Sequence, residues 1–300
     1  MSRVELTVPA GEIELPAVLR LPESPPRAGV VTLHPASGPA RDYFLFEHLA
    51  SLLVPRGFAV LSYDRRAQIG LDDVPFEHQA DDALASLRVL REQIGAGPPI
   101  GIWGFSQGTW AAPIAATRST EITFLVLVGA PGVSPAQQMR YSAAEALRRA
   151  GYDDDAVSRA VDTRVALEGF IRRGGSAEGA QRIIDGVADE PWFELLHLPR
   201  TLPSELPKGS AWTDMDFDPA PVLSEVRCPV LLVYGDDEAV PVEQSVDVWR
   251  SAGARSGARL DVVLLPRSTH LPTVGGEDTL AAVDPEYEQA LVSWLDDLLT

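Results

Sequence analysis

A serine flanked by glycines, Gly104-Phe105-Ser106-Gln107-Gly108, and a histidine far downstream, His270, are the residues whose types and spacing point most directly to chemistry. A serine hydroxyl attacks poorly until a neighbouring base takes its proton, so one residue without the other would mean little. The G-x-S-x-G pattern alone is weak in a chain with 24 glycines, and its setting carries the weight. The apolar run Ile100 to Trp103 reads as a buried strand, and a helical pattern opens at Gln107. A nucleophile on so sharp a strand-to-helix turn needs neighbours without a Cβ two positions before and after it, and Gly104 and Gly108 meet that need.

Five histidines could supply the base. His270 stands five residues after the apolar run Leu260 to Leu265 and ahead of the final helical pattern, which selects it. His48 and His78 fall within helical patterns and read as structural, as does His197. His34 reads as a hydrogen bonder that organises its loop. The orienting acid should follow a strand between nucleophile and base. The run Ile122 to Val128 ends in Gly129-Ala130-Pro131-Gly132, without a carboxylate, whereas Val230 to Tyr234 is followed by Gly235-Asp236-Asp237-Glu238-Ala239-Val240-Pro241. Spacing back from Val240-Pro241 selects Asp237; counting forward from Gly235 favours Glu238, and Asp236 is the third candidate. The tetrahedral oxyanion needs preorganised N–H donors: Gln107 by its position after the nucleophile, and Ala36, with Ser37 behind it, in the loop after Val30 to Leu33, because Pro35 has no N–H. Ser37, Phe105, Trp192 and Trp212 are the candidate substrate contacts.

Positioning these groups requires a particular set of elements. Val4 to Val8 and Ile13 to Leu21 alternate about a Pro9-Ala10-Gly11 turn, an antiparallel hairpin. Six apolar runs follow: Val30 to Leu33, Ala59 to Tyr63, Ile100 to Trp103, Ile122 to Val128, Val230 to Tyr234 and Leu260 to Leu265. Amphipathic stretches Tyr43 to Arg56, Glu77 to Ile94, Gln107 to Thr117, Val242 to Ala252 and Asp284 to Leu299 lie between or after them. That alternation predicts an α/β fold with a mostly parallel, doubly wound sheet. Residues 133–221 break it with helical patterns, opened by a Ser134/Gln137 capping box, so they are expected to form an inserted helical cap on a core of 1–132 and 222–300.

The ordered set of the His34-Pro35 loop, Tyr63-Asp64-Arg65-Arg66, Gly104 to Gly108, Gly235 to Pro241 and His270 resembles the α/β-hydrolase superfamily. Within it, Trp103 to Pro113 and Gly129 to Ser134 are similar to bacterial hydrolases near the dienelactone-hydrolase and acyl-aminoacyl-peptidase groups. Two positions depart from the pattern: Pro35 replaces the common glycine of the oxyanion loop, and Ala67 a glycine after the arginine pair. The resemblance implies a carboxylesterase-like serine hydrolase working through an acyl-enzyme on a small-molecule acyl substrate, with acyl transfer and peptide cleavage as alternatives and a non-catalytic binding protein as a third.

Composition bounds the rest. A net charge of −18 argues against nucleic acid or anionic membrane as partner. No apolar run approaches the roughly 18 residues of a spanning helix, and the first twenty residues lack the pattern of a secretory signal, so a cytoplasmic location is expected. The lone cysteine, Cys228, reads as a small apolar filler. No cluster with metal-ligand spacing occurs, and the expected chemistry needs no cofactor or metal. Oligomeric state is not legible.

Overall fold

The apolar runs Val30 to Leu33, Ala59 to Tyr63, Ile100 to Trp103 and Val230 to Tyr234 are buried throughout as strands, because a sheet covered on both faces can bury such runs along their length. Leu260 to Leu265 instead forms an edge strand that is only partly buried. In the computed structural model, which describes residues 2–36, 40–69, 75–206 and 214–300, the strands are β1 (Ser2–Ala10), β2 (Ile13–Leu21), β3 (Ala28–Leu33), β4 (Phe58–Tyr63), β5 (Ile100–Phe105), β6 (Ile122–Val128), β7 (Val230–Asp237) and β8 (Leu260–Thr269). They form one sheet in the order β1-β2-β4-β3-β5-β6-β7-β8. The β1–β2 hairpin is antiparallel, with Ser2 opposite Leu21, and β2 joins β4 antiparallel. Every later pairing is parallel. This is the mostly parallel sheet with an N-terminal hairpin that the hydrophobic pattern requires.

The helices are α1 (Phe44–Leu53), α2 (Phe76–Ile94), α3 (Gly108–Arg118), α4 (Pro135–Arg149), α5 (Asp154–Arg172), α6 (Ala177–Asp185), α7 (Ala220–Leu223), α8 (Val242–Ser256) and α9 (Pro285–Leu298). Trp103, Phe105, Val126, Val128 and Val233 of the sheet share one buried cluster with Phe46 and Leu49 of α1 and Leu291 and Trp294 of α9. Gly29 of β3 lies against Leu90 and Ile94 of α2 instead.

The chain divides into two compact units, Met1–Val133 with Asp218–Glu238 and Val242–Thr300, and Ser134–Phe217 with Ala239–Pro241. The first holds the sheet. The second is helical and has its own core, in which Leu147, Ala160, Leu167, Ile184, Trp192 and Phe193 are buried. Its entry is fixed locally: Ser134 accepts from the Gln137 N–H while the Gln137 side chain returns to the Ser134 backbone, a complete capping box with Pro135 at the first helical position. Among the described residues, no helix is long and apolar enough to cross a membrane.

Candidate active site

The sheet delivers Ser106 on a strained turn. β5 ends at Phe105, α3 begins at Gly108, and Ser106 between them has φ +51°, a left-handed conformation that a residue with a side chain adopts at a cost of order 1–3 kcal/mol. Neighbouring glycines make the turn possible. A Cβ on Gly104 would stand 3.2 Å from the Gly108 carbonyl oxygen, and one on Gly108 would stand 2.8 Å from Leu33 Cβ and 3.0 Å from the His34 carbonyl oxygen. The turn is pinned from below by the Ser106 N–H, which donates to the Val128 carbonyl at 2.9 Å. Gln107, at the start of α3, carries one of the N–H groups that a helix start leaves without an intrahelical acceptor.

The hydroxyl so presented meets an imidazole. Ser106 Oγ lies 2.8 Å from His270 Nε2, and the other ring nitrogen, Nδ1, is in short contact with Glu238 Oε1. With Nδ1–H donating to the carboxylate, Nε2 is left as the acceptor for the serine proton. Glu238 is only 2% exposed, so its attraction for the ring acts with little solvent screening. The ring also packs on Phe105, centroid to centroid 5.1 Å. Gly129, at the end of β6, has φ +64°, and a Cβ there would stand 2.7 Å from His270 Cε1, so the space the imidazole occupies exists because that residue has no side chain.

The carboxylate in contact with His270 Nδ1 is that of Glu238, not that of Asp237, the acid selected by sequence spacing. The reason lies in the ladder between β7 and β8. The register jumps from Gly235 opposite Leu265 to Asp237 opposite Thr269, so β7 continues two residues beyond the bulge and Asp237 is still a strand residue. Asp236 and Asp237 are exposed, and the next residue, Glu238, turns inward and is buried. Gly235 permits the jump: a Cβ there would lie 1.9 Å from the Thr269 carbonyl oxygen.

The loop after β3 is organised as its residue types suggest. His34 is buried, and its Nε2–H donates to the Tyr63 carbonyl at 2.6 Å while its ring meets Phe46 and Tyr63 edge to face. Burial, with Arg65 nearby, holds its pKa down to about 3, so the ring is neutral at any ordinary pH. Arg65 donates to the Pro35 carbonyl at 2.6 Å, fixing the backbone just before Ala36, which is exposed.

A family model described as alpha/beta hydrolase family matches residues 30–283. The chain belongs to that family. Among solved structures, a highly thermostable carboxyl esterase from Bacillus coagulans aligns at 16% identity and TM-score 0.65, covering 100% of both chains. A dienelactone hydrolase from Anabaena variabilis aligns at 16% identity and TM-score 0.58, covering 99% of this chain and 97% of that one. An acylaminoacyl peptidase from Pyrococcus horikoshii aligns at 12% identity and TM-score 0.62, covering 99% of this hydrolase-family chain but only 42% of the peptidase. At these identities the likeness is one of fold. A comparison with curated proteins finds no match.

The remaining sequence candidates of this alpha/beta hydrolase family member fare unequally. Phe105 is buried and packs on the imidazole rather than offering a surface to substrate. Trp192 is 2% exposed in the core of the helical unit, with the Arg159 guanidinium over its ring, so its expected substrate contact gives way to packing. Ser37 and Trp212 lie outside the described residues. Burial pushes the Cys228 thiol up to about 11, which keeps it protonated and unreactive at neutral pH. Gly129 and Gly235 are the residues sequence reasoning missed; each ends an apolar run, and that was the signal available.

Proposed function

We propose that this chain is a serine hydrolase that cleaves carboxylic esters of small molecules through Ser106, His270 and Glu238 and a covalent acyl-enzyme. The observation that carries the reading is the continuous relay from Ser106 Oγ, 2.8 Å from His270 Nε2, through Nδ1 to the buried carboxylate of Glu238. In this scheme the hydroxyl attacks the ester carbonyl as its proton passes to Nε2. Glu238 holds the tautomer and stabilises the imidazolium. The oxyanion is received by the N–H groups of Gln107 and Ala36. His270 then returns its proton to the departing alcohol. Water, deprotonated by the same nitrogen, attacks the acyl-enzyme and releases the acid. None of these steps calls for a cofactor or metal, and we place the reaction in the cytoplasm.

The test is labelling by a fluorophosphonate, which should form an adduct on Ser106 that Ser106→Ala abolishes with the fold retained. A panel of p-nitrophenyl esters of rising chain length beside aminoacyl p-nitroanilides then identifies the acyl class. An ester offered with an alcohol or amine acceptor separates hydrolysis from transfer by its product. Absence of any Ser106 adduct would leave a non-catalytic binding protein as the better account.

A further inference from the structure

We propose that Asp284 is a positioning residue for His270, holding the histidine loop from both flanks. The proposal rests on the reading of Ser106, His270 and Glu238 given above. Asp284 is the N-cap of α9, and one of its carboxylate oxygens accepts from the Glu286 N–H at 2.9 Å, as a cap requires. Its remaining bonds run to the loop. The other oxygen accepts from Ser268 Oγ at 3.2 Å, and Arg267 Nη2 donates to the first at 2.9 Å. The Asp284 N–H donates to the Pro272 carbonyl at 3.0 Å. Ser268 and Pro272 stand two residues before and two after His270, so one side chain and its own backbone grip both sides of the imidazole.

Burial separates this arrangement from ordinary capping. A cap residue works well at the surface, yet Asp284 is 0% exposed. A buried carboxylate is costly unless its lone pairs are satisfied, and two of the three donors that satisfy this one lie in the segment leading into His270. Isolated bridges pairing Ser268 with Val274 and Thr273 with Val283 close the loop around it. Arg267, half exposed, pairs with this carboxylate, and the same guanidinium lies 3.7 Å from the Glu286 carboxylate. A displacement of about 1 Å at the imidazole is enough to cost about a hundredfold in rate.

Two variants test the proposal. Asp284→Ser retains a capping oxygen but is too short to hold Ser268 and Arg267, whereas Ser268→Ala leaves the cap intact and removes one loop contact. The readouts are kcat and KM on a short p-nitrophenyl ester, the thermal midpoint, and the downfield proton resonance of the His270 Nδ1–H held against Glu238. Asp284→Ser and Ser268→Ala should each lower kcat about 10- to 100-fold with KM nearly unchanged and broaden the resonance. The double variant should be no slower than Asp284→Ser alone, since both act through one contact. Unchanged kcat and an unchanged resonance beside a lowered thermal midpoint would reduce Asp284 to a helix cap and overturn the proposal. Should the native chain fail to turn over esters, the resonance still decides: its dependence on Asp284 would uphold the positioning role while the ester reading falls, and its insensitivity would overturn the role. If Asp284→Ser does not fold, Ser268→Ala supplies the same readouts.

Discussion

At the scale of single residues, three adjacent acids after β7 provide a controlled comparison of what a carboxylate does in different surroundings. Asp236 and Asp237 are exposed, while Glu238 is buried against the imidazole. A solvated charge near a histidine is screened and does little to fix its tautomer, whereas a buried one orients the ring and stabilises it when it takes the serine proton. Glu238→Gln should therefore lower kcat by about 10³- to 10⁴-fold. Asp237→Asn and Asp236→Asn should stay within about threefold of the native rate. Steady-state kinetics on one ester for all three variants decides this, and a large loss in Asp237→Asn beside a mild one in Glu238→Gln would reverse the assignment. Ser106 and His270 could be read from the sequence because each follows an apolar run by a spacing that the fold constrains tightly. The choice among Asp236, Asp237 and Glu238 could not, since which of three successive side chains turns inward depends on where strand pairing stops. Hydrophobicity carries no record of that.

The same ladder sets the site at the scale of elements. Continuous burial along β7 ends at Gly235, and the polar Asp236-Asp237 pair looks like the start of a loop, yet pairing with Thr269 extends the strand past it. Strand limits here follow from the partner strand, which the local sequence cannot reveal, while the existence and order of the strands follow from apolar periodicity, which it can. The bulge between Gly235 and Asp237 brings together the strand ends that carry Glu238 and His270. Gly235→Ala tests whether that closeness matters. A methyl group 1.9 Å from a backbone oxygen must push β7 and β8 apart, because neither atom belongs to a flexible side chain. The expected result is a loss of at least about 2 kcal/mol in urea denaturation, with turnover reduced by about a hundredfold or more in the fraction that remains folded. Full turnover with normal stability would mean that the two strands can separate without disturbing the relay.

Across the whole molecule, the sequence showed where the alternation of strand and helix breaks, but not which aromatic residues of the helical stretch would be consumed by that unit's own core, as Trp192 is. Size and apolarity suit a side chain equally to a core and to a binding surface, so composition alone does not separate them. Net charge acts at the same scale. A chain at −18 repels itself, and lowering the pH discharges carboxylates and relieves that repulsion. His34 works in the opposite direction. Its pKa in the folded chain is about 3 against an ordinary 6.5, so between those values the unfolded chain holds a proton that the folded chain refuses. The stabilisation from keeping this ring neutral is complete above pH 6.5 and declines as the pH falls toward 3. At pH 5 the decline amounts to about 2 kcal/mol, at 1.36 kcal/mol for each pH unit below the unfolded value. His34→Gln isolates this contribution, because the amide can still donate to the Tyr63 carbonyl but has no proton to gain. The variant is expected to be less stable than the native chain at pH 7.5, having lost the aromatic edge contacts with Phe46 and Tyr63. Its deficit should narrow by about 2 kcal/mol at pH 5 when both are unfolded in urea. A deficit independent of pH would mean that the buried imidazole titrates alike in the folded and unfolded chains, and that its hydrogen bond to Tyr63 does not depend on the ring staying neutral.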